Sequence, residues 1–170
     1  MRKALLLAIC VGLTGRAAAQ AGASVSADAV VVTVGMTIST LRDLNFGTVI
    51  KGVPTTILPT AVNAGEWQVS GSANAFVIIS FTLPTQLTNI QALPGSTMPI
   101  SFSAASAIWR RATNNPVGGT AFDPATGAVG RLGPTSNPTM YIWVAGSVTP
   151  AVTAKPGIYR GNVILSLVYQ

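Results

Sequence analysis

The chain has 170 residues, only 8% of them Asp, Glu, Lys or Arg, with a formal net charge of +6. It contains no histidine and a single cysteine, Cys10, which excludes Ser-His and Cys-His nucleophile pairs and the usual zinc ligand sets. The four acids, Asp28, Asp43, Glu66 and Asp123, lack the Asp-x-Asp spacing of a calcium loop, so neither an enzyme nor a cofactor is expected.

Arg2 and Lys3, the apolar run 4–13 and the small residues Ala17-Ala18-Ala19 have the layout of a secretory signal peptide, expected to span residues 1–19. The run is too short for a membrane span, and no later segment is apolar for long enough, so stable membrane insertion is not expected. Cys10 follows Ile9, where a lipoprotein signal wants a small residue. Removing the leader leaves seven Lys/Arg against the four acids. Apart from Arg110-Arg111 the remaining cations are scattered, a poor stripe for tracking phosphates, so nucleic acid is not an expected partner.

Residues 20–35 form an arm ahead of one domain, 36–170. Val25, Ala27, Ala29 and Val31 share one face of the arm as a strand, and Val30, Val32 and Val34 share the other. The segment is β-prone, nearly uncharged and free of proline, and such a strand needs a partner. It is either the first strand of its own sheet or a strand donated to a neighbour.

The domain reads as short strands between Gly, Pro and Asn turns, with no helical periodicity. Residues 36–50 alternate at Met36, Ile38, Leu44, Phe46, Thr48 and Ile50. Residues 66–71 alternate with Trp67 and Val69 inward. The strongest strand, 75–83, carries Ala75, Val77, Ile79, Phe81 and Leu83 on one face. Met98, Ile100, Phe102 and Ala104 form another. Residues 114–138 read as turns or an irregular loop, with Pro116, Pro124, Pro134 and Pro138. Residues 140–145 are apolar on both faces, hence central or covered by a neighbour, and Gly146-Ser147 reads as a turn. From Gly157 to the last residue a single strand is expected. Tyr159, Val163, Leu165, Leu167 and Tyr169 lie on one face, with Ile158, Arg160, Asn162 and Ser166 on a more polar one. About six strands with regular turn signals predict an all-β antiparallel sandwich, one strand short of an immunoglobulin-type one. An apolar terminal strand leaves an edge open for pairing with another chain.

The terminal segment resembles the C-terminal motif of chaperone–usher fimbrial subunits: Gly157 is fourteenth from the end, Tyr169 is penultimate, and alternating apolar residues lie between. Leu44-Asn45-Phe46-Gly47-Thr48-Val49 is similar to the "LNFG" opening of bacterial secreted domains of unknown function related to pilin and spore-coat-U-type proteins. The segments 65–71 and 157–161 fit that layout too. Many fimbrial subunits have a disulfide near the first strand, and this chain has none. The resemblance implies an incomplete immunoglobulin-like sandwich completed by a donated strand. Val25, Ala27, Ala29, Val30, Val31, Val32 and Val34 would be the donor residues. Gly157, Tyr159, Val163, Leu165, Leu167 and Tyr169 would form the strand that accepts the donor or is recognised by a chaperone. Implied partners are identical subunits in a filament, a periplasmic chaperone and an outer-membrane usher, with passage through the periplasm to a surface fimbrium. The alternatives are a secreted coat or matrix protein whose own arm completes its sheet, or a carbohydrate-binding module resting on Trp109.

Overall fold

Alternation of apolar and polar residues over four to seven positions commits a chain to half-buried strands, and that pattern dominates here. The computed structural model describes residues 35–91 and 96–170. The expected leader and the donor candidates Val25, Ala27, Ala29, Val30, Val31, Val32 and Val34 lie outside the described residues. Among the described residues there is no helix. The strands are β1 (Thr37–Arg42), β2 (Thr55–Ile57), β3 (Gly65–Ser70), β4 (Phe76–Thr82), β5 (Gln86–Asn89), β6 (Thr97–Ser101) and β7 (Ala107–Arg111). They continue with β8 (Thr120–Phe122), β9 (Ala128–Arg131), β10 (Thr139–Val144), β11 (Gly146–Val148), β12 (Tyr159–Arg160) and β13 (Ile164–Tyr169).

One sheet has the order β1-β3-β10-β7-β8 and a second the order β13-β4-β9, with all pairings antiparallel. Val69, Met140 and Ile142 of the first sheet share a buried core with Val77 and Ile79 of the second. The two sheets therefore pack face to face as an antiparallel β-sandwich. A third sheet, β12-β5-β6-β11-β2, surrounds a smaller core of Leu87, Met98, Ile100 and Val148. The chain passes between sheets repeatedly, with short crossings from β4 to β5 across Pro84, from β10 to β11 at Ala145, and from β12 to β13 across residues 161–163.

β10 is the central strand of its sheet, which explains its two apolar faces; Trp143, on the face away from Met140 and Ile142, is fully buried as well. Other expectations are corrected. The strand expected over 36–50 ends at Arg42, and residues 43–54 carry no strand. The expected loop 114–138 contains β8 and β9. Gly130 in β9 is a packing residue rather than a turn signal, since a Cβ there would lie 2.7 Å from Met140 Sδ. Gly146-Ser147 begins β11, paired on both sides, instead of turning. The single terminal strand is two strands, β12 and β13, that belong to different sheets.

Candidate functional site: an open side of the sandwich

A sandwich is closed where its edge strands are joined or covered, and its two sides differ in this respect. At one side β8 and β9 are joined by a tight turn in which the Asp123 carbonyl accepts from the N–H groups of Thr126 and Gly127. Phe122 is buried there. At the other side the edge strands are β1 and β13, neither with a second ladder partner among the described residues.

Register shows what these edges leave uncovered. Ile38 lies opposite Val69 and Thr40 opposite Trp67, so both face the core side of the sheet. Val69 is 0% exposed, yet Ile38 is 42% exposed. On β13, Leu165 lies opposite Phe81 and Leu167 opposite Ile79. Ile79 is fully buried, whereas Leu165 and Leu167 pack against the main core but are only half-buried. Core-facing side chains on both edges thus stop short of full burial.

Beyond β1 and ahead of β13 the same side opens into a cleft of about 990 Å³. Its walls come from segments 42–49 and 154–163. Its floor is Trp67, Leu87, Met98, Ile100, Val144 and Val148, most of them buried core residues. Phe46, Val49 and Tyr159 pack against the smaller core from the walls. Trp67 is 5.7 Å from Phe81 between ring centroids, which ties the floor to the main core.

The expected acceptor residues divide between cleft and ladder. Gly157, Tyr159 and Val163 line the cleft, and Leu165, Leu167 and Tyr169 lie in β13 over the main core. Gly157 has φ +145, and a Cβ on it would lie 2.4 Å from Asn89 Nδ2, so the residue must be glycine on two counts. Asn89 is 1% exposed. Its Oδ1 accepts from the Gln91 N–H at 2.9 Å, and its Nδ2 donates to the Pro156 carbonyl at 3.4 Å. Asn89 therefore fixes the entry to β12, where Tyr159 pairs with it. The Tyr159 hydroxyl donates to the Lys155 carbonyl at 2.7 Å. Tyr169 accepts from the Ser72 N–H at 2.9 Å and so ties the end of β13 to the turn after β3. The outer face of the terminal segment is less polar than expected, with Ile158, Ile164 and Val168 all exposed.

Charge is unevenly distributed around this side. Arg42 forms an ion pair with the buried Glu66 and donates to the Val62 carbonyl. Arg110 donates to the carbonyls of Asn115 and Val117, Arg111 to that of Leu132, and Arg131 to that of Asn74 while lying over the Phe76 ring. The side chains of Lys51, Lys155 and Arg160 have no hydrogen-bond or ion-pair partner among the described residues, and all three residues line the cleft. Asp43 is the one acid lining it. This grouping had no sequence signal, because Lys51 lies far along the chain from Lys155 and Arg160 and only the topology brings it to the same cleft.

Trp109 is half-buried and packs against the main core; a sugar platform would need its face free. Glu66 is engaged by Arg42. The site offers no nucleophile activated by a base. What it offers is a trough with an apolar floor, cations along its walls, and beside it two edge strands with no second ladder partner among the described residues. No protein-family model matches the chain, and no curated protein matches it significantly.

Proposed function

We propose that the protein is a structural subunit of an extracellular filament, in which the arm 20–35 of one copy completes the open side of the next. The observation that carries this reading is the shortfall in burial at Ile38, Leu165 and Leu167. These are core-facing residues on two edge strands that flank a cleft with an apolar floor. An added strand supplies main-chain hydrogen bonds to the free edge, and its alternate side chains fill the trough. The arm has the required composition, with valine or alanine at nine of its positions and no proline. A head-to-tail contact of this kind does not close on itself and so generates open fibres. The expected leader accounts for export. An uncovered apolar edge accounts for the need of a periplasmic chaperone and an outer-membrane usher until the next subunit docks.

The test is the assembly state of the chain purified without its leader. Ladders resistant to SDS before boiling, lost on deletion of residues 20–34 and restored on adding back intact subunits, support the reading. A monodisperse monomer whose arm resists protease supports instead a secreted coat or matrix protein with a self-completed sheet.

A further inference from the structure

The arm's two faces are not equivalent. Val30, Val32 and Val34 share their face with Asp28, the only charged residue between positions 20 and 35. The opposite face carries Val25, Ala27, Ala29 and Val31, with less apolar volume and no charge. Turning the valine-rich face toward the trough therefore brings a carboxylate along, which is costly in an apolar setting unless a cation meets it. The cleft supplies that cation. Lys51, Lys155 and Arg160 line it, and theirs are the cationic side chains left without a partner among the described residues.

We propose that the cleft binds residues 28–34 of a second copy, with Val30, Val32 and Val34 toward the apolar floor and the Asp28 carboxylate among Lys51, Lys155 and Arg160. This rests on the strand-donation reading above and adds the register, because a slip of one residue turns every side chain to the other face. The charges also favour a second copy over the chain's own arm. Folding that arm back on β1 through Gly35-Met36 as a two-residue hairpin would carry residue 28 to the level of residue 43, one position past the end of β1. Asp28 would then come near Asp43, a like charge that repels it. Arg42, the nearest cation in sequence, is already engaged by Glu66.

The experiment uses two full chains without the leader: Asp28→Lys, and the double variant Lys155→Glu with Arg160→Glu. Lys155 and Arg160 are exposed, so their substitution leaves the cores intact. Each variant alone is expected to assemble at least about fivefold more slowly than the unaltered chain at low salt, with the difference fading near 1 M salt, where charges are screened beyond about 3 Å. Mixed in equal amounts, the two should recover the unaltered rate, because each arm then finds a cleft of opposite charge, and should form alternating filaments. Disulfide formation between an Asp28→Cys chain and a Lys155→Cys chain, as mixed dimers, reads the contact directly. If the unaltered chain polymerises and both variants alone match its rate, the charge register is wrong while strand donation stands. If mixing restores nothing, or a chain carrying both cysteines closes its disulfide internally, the second-copy assignment is overturned. If the unaltered chain does not polymerise at all, the strand-donation reading falls and this inference falls with it.

Discussion

Truncating Leu167 to alanine separates a covered core from an uncovered one. Leu167 sits opposite Ile79 in the β13–β4 ladder; Ile79 is fully buried and Leu167 half-buried. Removing a fully buried leucine or isoleucine side chain down to Cβ costs about 2–5 kcal/mol. The half-buried leucine should therefore cost about 1–2 kcal/mol in the isolated subunit, in proportion to the area it hides from water. A donated strand over the open side would bury the rest. The same substitution should then cost about 1 kcal/mol more in the filament, or roughly fivefold in subunit dissociation. Ile79→Ala is the internal standard, because Ile79 has nothing further to bury and should lose the same amount in both states. The assay is the urea midpoint of dilute monomer against the urea needed to depolymerise filaments, for both variants. Equal losses for Leu167→Ala in monomer and filament would refute the reasoning. So would a monomer loss as large as that of Ile79→Ala, since the open side would then already be covered within one chain.

Two further substitutions test how the site is held. Gly157→Ala should destabilise the subunit by about 1–3 kcal/mol, seen as a lower urea midpoint, because an added Cβ meets the buried Asn89 amide and φ is one that L-residues avoid. Arg42→Ala should cost about 1–3 kcal/mol in the same measurement, since it strips the Glu66 carboxylate of its cation inside the sheet. Arg42 is itself partly solvated, which keeps the loss below that of a fully buried pair.

The strands with clean alternation were legible in the sequence because each buries one face against a single sheet. β3 and β4 are cases in point, with Trp67, Val69, Val77 and Ile79 turned inward as their spacing requires. β8 and β9 were not legible. They are runs of three and four residues, Thr-Ala-Phe and Ala-Val-Gly-Arg, too short to show alternation among the surrounding prolines, and Gly130 is there so that the second sheet can come close to Met140, a demand that exists only in three dimensions. The same holds for β11, where the chain crosses between sheets at Ala145 without a turn. The apolar face of the terminal strand was readable at Leu165, Leu167 and Tyr169. Its break at residues 161–163 was not, because alternation continues through it in the sequence.

That break has a consequence for how the open side is used. Because β12 pairs with β5 and β13 with β4, the terminal segment serves two sheets, and the cleft opens where it passes between them. The β13 half carries an apolar ladder, Leu165, Leu167 and Tyr169, that any alternating strand of valine and alanine would satisfy. Such a surface is sticky but tolerant of register. The β12 half carries Lys155 and Arg160 beside an apolar floor, and a fixed charge is met by only one position of an incoming strand. If an arm docks here as proposed, affinity and register fall to different stretches of the last seventeen residues. On this division, substitutions in β13 should change how tightly an arm is held. Substitutions around Lys155 and Arg160 should change which residue of the arm comes to rest there.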